Sequence, residues 1–336
     1  MISVIIIGYN NYFYLKNCLE SLISQTASIE QIIYVDNNSI DNSVEFIETY
    51  YPQVKIIKSY VNLGYAKAAN LGIDFSKGNF VLIMNPDMIL NPDYIHNSLV
   101  SLKKNPKAAG VMGKIYKYDF SLNKKTKIID TIGLVVLRGR QFLDNGAAIQ
   151  DIGQFEKPME IFGITGNCAL FRKVALNDSK IYEEYFDEDF FMYKEDVDLC
   201  WRLRLLGWTF IYTPNAIAYH NRGTGVLSRV TLKGSITGRK QLDKIQKYYS
   251  LKNQQLMLLK NELSATFFRD FLSIASREIA IILWVFLFET IRFEVFFELF
   301  KQIPLILNKR KIIMKRKRVS SNEIMPWLRG RGLIRK

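Results

Sequence analysis

Residues 80–93 read FVLIMNPDMILNPD, an unbroken apolar run that ends abruptly in Asn85-Pro86-Asp87. Phe, Val, Leu, Ile and Met in succession have the length and composition of a strand buried on both faces, as in a parallel sheet. Pro86 must end it, because proline cannot donate to a sheet ladder. Asp87 then falls at the carboxyl edge of the strand, where open α/β sheets bind their ligands. Asn, Pro and Asp are also ordinary turn formers, so the stretch alone leaves turn and site both open.

The surrounding sequence alternates. Strand patterns fall at residues 2–7, 31–35, 54–59, 80–84 and 109–113, with helical patterns between them at 12–24, 41–51, 65–75 and 92–104. This predicts an α/β fold with a mostly parallel central sheet, helices on both faces, and ligand-binding loops after the strands. Four strand ends are polar: Gly8-Tyr9-Asn10, Asp36-Asn37-Asn38-Ser39, Asn62-Leu63-Gly64 and Asn85-Pro86-Asp87. One such end is explained by helix capping; four on one edge point to a site. Neither a G-x-G-x-x-G fingerprint nor a phosphate loop follows a strand, so any nucleotide is held in another way.

The 336 residues, 49% hydrophobic and 23% charged, suit a folded chain with one large core or two modest ones. Cys18, Cys168 and Cys200 have no metal spacing and are expected to be packing residues in a reducing compartment. The opening MISVIIIGYN runs into a strand without a basic leader, so the catalytic part is expected on the cytosolic side. The net charge of +14 is concentrated at one end: residues 301–336 carry twelve Lys or Arg against Glu323 alone, which is +11 and leaves +3 for the rest. Just before them, residues 271–300 are very rich in Phe, Ile and Leu. The longest uninterrupted apolar run there, 279–288, has ten residues. Crossing a bilayer takes about 20. An apolar helix followed by Lys309-Arg310-Lys311 and Lys315-Arg316-Lys317-Arg318 therefore predicts a helix lying on an anionic membrane surface. The alternative is a helix packed on its own domain or on a partner chain. No nucleic-acid motif accompanies the charge.

A second constellation, YFDEDFFMYKEDVDLCWRL at residues 185–203, gathers Asp187, Glu188, Asp189, Glu195, Asp196 and Asp198. Apolar spacing from Val197 predicts a helix closed by Gly207, with Glu195 and Asp196 in its first turn, where the helix dipole favours carboxylates. Phe190, Phe191, Met192 and Tyr193 beside them form an apolar wall able to raise a carboxyl pKa.

Together SVIIIGYNNYFYLKNCLESLISQ, IYVDNNSIDNS, NLGYAKAANLGI, VLIMNPDMIL and FFMYKEDVDLCWRLRLLGWTFIYTPNAIAYH resemble the family 2 glycosyltransferases of GT-A fold, most of all the bacterial rhamnosyltransferase-like branch. The resemblance spans residues 2–225 and is weakest over 118–160, which reads as an acceptor-side insertion or mobile loop. It implies that Gly8, Tyr9, Asn10 and Asp36 hold base and ribose, the carboxylate accepting from a pyrimidine N–H or a ribose hydroxyl. Asn62, Gly64, Lys67 and Asn70 match the loop and helix beside the donor. Gly64 permits close backbone approach; Lys67 either neutralises phosphate or sits on a solvated helix face. Asn85 and Asp87 fall where many relatives have Asp-x-Asp, with Asn85 departing from that pattern. Asp87 is thereby expected to bind Mg²⁺ or Mn²⁺ bridging the donor phosphates, with His220 as second ligand or, alternatively, as a packing residue. Gly166 lies between donor and acceptor or in an ordinary turn. Asp196 is the implied general base; Glu195 positions sugar hydroxyls or takes the base role itself, and Asp198 orients its neighbours.

The expectation is an inverting glycosyltransferase of bacterial cell-surface polysaccharide synthesis, peripheral on the inner face of the cell membrane. By resemblance the donor is dTDP-L-rhamnose, with UDP-hexose and UDP-galactofuranose open, and the acceptor is a saccharide carried on polyprenyl phosphate. Residues 1–230 would form the GT-A domain, 1–115 binding nucleotide sugar and 116–230 acceptor and catalysis. Residues 231–336 would be a helical, basic membrane-surface extension. A sugar-nucleotide pyrophosphorylase would carry a Gly-rich basic loop near its start, which SVIIIGYNN does not supply. A non-catalytic membrane adaptor that kept the fold is the other alternative.

Overall fold

The computed structural model describes residues 1–119, 121–221 and 238–334; the expected boundary between 230 and 231 lies outside the described residues. The first half follows the alternation: β1 (Ile2–Gly8), α1 (Tyr12–Ile23), β2 (Gln31–Asp36), α2 (Ser43–Tyr50), β3 (Lys55–Lys58), α3 (Gly64–Phe75) and β4 (Phe80–Met84). β1 is buried along its whole length, as an all-apolar strand must be, and runs parallel to both β2 and β4. Pro86 does end β4, but the chain re-enters the sheet at once as β5 (Met88–Leu90) before α4 (Tyr94–Lys104).

The second half adds β6 (Ala108–Asp119), β7 (Lys124–Thr131), β8 (Leu134–Val136), β9 (Phe142–Asp144), β10 (Met159–Ile161), β11 (Cys168–Arg172), α5 (Lys173–Ser179), α6 (Glu195–Leu205) and β12 (Thr209–His220). The main sheet has the order β10-β12-β6-β11-β4-β1-β2-β3, with β5 paired to β12 and β7 to β6. Along it β12, β6, β4, β1, β2 and β3 share one direction and only β11 and β10 oppose them, a mostly parallel α/β sheet. Residues 118–160 carry strands where the sequence reads as a loop. β6 runs on to Asp119 and β7 folds back on it, but the first half of β7 is largely exposed, so its composition lacks apolar alternation. Cys18, Cys168 and Cys200 are free and buried, in keeping with a packing role.

Gly64 opens α3 at φ +74°, and a β-carbon there would run into the ring and carbonyl of Phe191. Gly64→Ala is therefore expected to lower the urea midpoint. The left-handed conformation alone costs about 1–2 kcal/mol, before the clash is counted.

Among the described residues that follow are the helices α7 (Lys244–Asn261), α8 (Ser264–Phe288), α9 (Arg292–Arg316) and α10 (Ser321–Ile324). α8 has its polarity reversed. Its buried face, Thr266, Asp270, Ile274, Glu278, Ile281 and Val285, holds two acids, whereas Phe268, Phe271, Leu272, Ile279, Leu283 and Phe286 face outward. Burial alone would raise the Asp270 carboxyl, but Arg329, Arg140 and Arg138 hold it down at about 2.

The basic tail is only partly a surface feature. Lys309 is buried, with Nζ 2.6 Å from Asp187 Oδ1, 2.8 Å from Asp189 Oδ2 and 3.3 Å from Glu184 Oε2. Arg310 donates to the carbonyls of Leu259 and Glu262, and Arg316 and Arg318 reach Asp178. Lys311, Lys315 and Lys317 stay exposed. Lys309, Arg316 and Arg318 thus fasten the end of α9 to residues 178–189, which composition could not reveal.

Candidate active site

A cavity of about 660 Å³ opens at the carboxyl end of β4. Its walls bring together Asn85, Gly166, Glu195, Asp196 and His220, and α7 and α8 close the opposite side through Gln254, Arg277 and Glu278.

The approach to Glu195 is an unusual piece of backbone. Phe191, Tyr193 and Lys194 have φ of 60°, 66° and 72°, a region that L-residues with bulky side chains avoid. Asn253 of α7 holds this segment: its Nδ2 donates to the carbonyls of Phe190, Met192 and Tyr193 at 2.8, 2.8 and 2.7 Å. Lys260, also on α7, lies between Asp187 and Asp198, which additionally accepts from Arg202 at 3.0 Å. Asp187, Asp189 and Asp198 are thereby occupied as ion-pair partners of buried cations.

Glu195 and Asp196 are left differently. Asp196 Oδ2 accepts from the Gly166 N–H at 2.9 Å and Oδ1 from the Val197 N–H at 2.7 Å. Burial raises the Asp196 carboxyl above the ordinary carboxylate range in spite of these two donors. Burial, together with the neighbouring Asp196, raises Glu195 well above its usual value, and its Oε2 is buried without a hydrogen-bond partner among the described residues. Gly166 sits tightly between the two halves; a β-carbon there would lie 3.2 Å from the Tyr65 hydroxyl and 3.5 Å from Asp196 Cβ.

A second cluster forms where β5 pairs with β12, placing Met88 opposite His220. Asp87, just before β5, has Oδ2 3.3 Å from His220 Nε2, and its Oδ1 is buried without a partner among the described residues. On the other side of the ring, His220 Nδ1 is 2.8 Å from Asp130 Oδ2. Asp130 is the extra residue of a β-bulge: Ile115 pairs with Thr131 and Tyr116 with Ile129, so Asp130 is turned out of register. Burial opposes charge on His220, but hydrogen bonds to Asp130 and Asp87 win and lift its pKa to about 9. An Asp–His pair with the distal ring nitrogen fixed by a carboxylate is the arrangement that orients an imidazole towards a metal ion. The buried, unpaired Asp87 Oδ1 is the acceptor such an ion would satisfy, so the chemistry of this donor pair suits a divalent cation.

The remaining expected residues lie outside the cavity lining, along the ends of β1, β2 and β3. Asp36 accepts from the Ser39 N–H, Asn10 Oδ1 from the Ile40 N–H, and Asn62 Oδ1 from Asn37 and the Gly64 N–H. Tyr9 is half exposed, and a β-carbon at Gly8 would overlap the Tyr34 ring. Lys67 is neither free nor simply solvated: its Nζ is 3.1 Å from Glu188. Asn70 is buried and bonds both ways with Phe186 and once to Glu188, so it braces that segment instead of facing open space.

Sequence reading missed Asp130, Asn253, Arg277 and Glu278. Asp130 lies in the poorly patterned stretch, and the last three lie in helices assigned to a membrane-surface role.

Two solved structures share the architecture. GalNAc-T7 with UDP, GalNAc and Mn²⁺ superposes at a TM-score of 0.56 and 13% identity, covering 86% of this chain and 58% of that one. S. aureus TarS 1–349 in complex with UDP-GlcNAc superposes at 0.53 and 15% identity, covering 94% and 81%. The fold is that of the GT-A glycosyltransferases. Glycosyl transferase family 2 matches residues 3–179, and the chain belongs to that family. It is 26% identical over 238 residues to the N-acetylglucosaminyl-diphospho-decaprenol L-rhamnosyltransferase of Mycobacterium tuberculosis (strain H37Rv), covering 66% of this chain and 76% of the relative. It is 27% identical over 224 residues to the poly-beta-1,6-N-acetyl-D-glucosamine synthase of Staphylococcus epidermidis, covering 65% and 49%.

Proposed function

We propose that this glycosyltransferase inverts the anomeric centre of its donor sugar, L-rhamnose from dTDP-L-rhamnose, and attaches it to a hydroxyl of a saccharide linked to polyprenyl diphosphate. The observation carrying the reading is the shared cavity, with Asp196 on one wall and the Asp87–His220 pair at its edge. Asp196 takes the proton of the acceptor hydroxyl as its oxygen bonds to the anomeric carbon. The bond from that carbon to the nucleoside diphosphate breaks on the opposite face, and the diphosphate leaves with the electron pair. The raised Asp196 pKa makes it a better base than an exposed aspartate. Glu195 orients sugar hydroxyls. Asp87 and His220 would hold Mn²⁺ or Mg²⁺, which when bound neutralises charge on the departing diphosphate. Imidazole ligation favours Mn²⁺. Gly8, Tyr9, Asn10, Asp36, Asn62 and Gly64 form the nucleotide side, and Lys67 and Asn70 act through the Glu188 segment.

In this reading residues 1–230 carry donor and catalytic functions, and the helices beyond them dock the protein on a membrane. Among the described residues α8 is the one helix long and apolar enough to cross a bilayer. Spanning would pull Asp270 and Glu278 out of their partners, whereas lying flat leaves them paired and buries the outward Phe and Leu side chains in lipid. The acceptor class named for the mycobacterial relative agrees with that placement.

The test is nucleoside diphosphate release from dTDP-, UDP- and GDP-sugars with Mn²⁺ or Mg²⁺, in the presence of polyprenyl-diphosphate-linked and free saccharide acceptors. Turnover of dTDP-L-rhamnose onto the lipid-linked acceptor with inverted configuration is expected. Turnover of a UDP-sugar instead would replace the donor, and no donor binding at all would leave an adaptor.

A further inference from the structure

A groove of about 480 Å³ lies along the first half of α8, between the end of α7 and α9. Leu258, Phe267, Ile274, Ala275 and Leu307 make its surface mainly apolar, with Glu262, Glu278 and Arg310 at its walls. One residue, Glu278, lines both this groove and the catalytic cavity. Ile274 and Ala275 face the groove and Arg277 and Ile281 the cavity, so a single helical turn of α8 separates the two. At that divide the Arg277 Nε is buried and, among the described residues, has no hydrogen-bond partner. Glu278 accepts from Gln254, Gln255 and Arg277 Nη1, so the guanidinium is ion-paired at one end and its Nε is the donor left over.

We infer that this turn of α8 is a binding track for the polyprenyl diphosphate part of the acceptor, resting on the lipid-linked reading above. The saccharide lies at Glu195 and Asp196, the diphosphate takes the open Arg277 N–H, and the isoprenoid chain leaves through the groove. The order saccharide, diphosphate, chain matches the order cavity, cation, apolar groove. The outward apolar face of α8 continues the groove to where a membrane would lie. An unfilled guanidinium donor at the wall of an apolar groove suits an anion with a hydrocarbon tail better than either part alone.

The test uses the full chain in EDTA, which suppresses diphosphate binding at Asp87, and titrates farnesyl diphosphate, inorganic diphosphate and farnesol by calorimetry. Farnesyl diphosphate is expected to bind at least about 10-fold more tightly than either fragment, because one molecule engages both parts of the track. Ala275→Trp, which fills the groove, should reduce it to the level of inorganic diphosphate, and Arg277→Gln to the level of farnesol. Thermal unfolding checks that each variant is folded, and farnesyl diphosphate binding unchanged in both folded variants overturns the track. Weaker vesicle binding by Ala275→Trp with farnesyl diphosphate binding intact overturns it too, by assigning the groove to bulk lipid. The acceptor reading is tested apart from it. If the diphosphate and chain bind as expected but free saccharide is glycosylated as fast as lipid-linked saccharide, the track stands and the acceptor assignment fails.

Discussion

Asp196→Asn is expected to slow transfer by about 10² to 10⁴ while donor binding stays unchanged, since the amide cannot take the acceptor proton. The substitution keeps the side chain's size but only one of the two oxygens that accept from Gly166 and Val197, so an unchanged urea midpoint is the control that assigns the loss to proton transfer. Burial has raised this carboxyl, so the sign of the pH dependence follows directly. The base works only when ionised, and activity falls as pH drops through its pKa. The acid limb of kcat/KM is therefore expected above the value near 4 of an ordinary aspartate. Asp196→Asn retaining wild-type turnover would pass the base role to Glu195, whereas a limb at 4 or below would remove both carboxyls, since burial raises each of them.

Asp87→Ala is expected to abolish Mn²⁺ binding and to lower turnover by at least about 10², the consequence of losing several kcal/mol of charge stabilisation on the leaving diphosphate. Asp130→Asn makes the finer test. It leaves both proposed ligands in place and removes only the carboxylate that holds the His220 ring. Loss of such a partner weakens metal binding by about 10- to 100-fold, readable by Mn²⁺ paramagnetic resonance without any substrate. A proton on His220 competes with the ion, so affinity should rise with pH up to about 9, where the imidazole of the metal-free protein discharges. Mn²⁺ affinity that ignores both Asp130→Asn and pH would remove His220 from the site.

What was legible in the sequence was local. A strand such as residues 80–84 announces itself by five apolar side chains, and Asp87 by the proline before it. The Glu195–Asp196 pair follows from helical spacing that begins at Val197. Asp130 could not be found that way, because its partner lies ninety residues on and the two meet only across β6, at a bulge with no sequence mark. Lys309 misled for a related reason. A lysine in a basic run reads as solvated, yet three acids from a distant segment take it out of solvent. The reversed polarity of α8 was half visible, as an excess of Phe and Leu; that its acids face inward depends on arginines at 138, 140 and 329 for Asp270 and on Gln254, Gln255 and Arg277 for Glu278.

The grip of Asn253 on three carbonyls has a practical meaning for anyone cutting this chain. The family match ends at residue 179, and the alternating sheet invites a truncation soon after β12. The shortened chain keeps Glu195 and Asp196 but loses the amide that holds Phe191, Tyr193 and Lys194 in their disfavoured conformations. The loop behaves as a cocked trigger whose sear lies some sixty residues downstream. Removing the sear lets the backbone relax, and the carboxylates drift from Gly166. Membrane attachment is accordingly best probed by single changes on the outward face of α8, such as Leu272→Glu, which leave the trigger set.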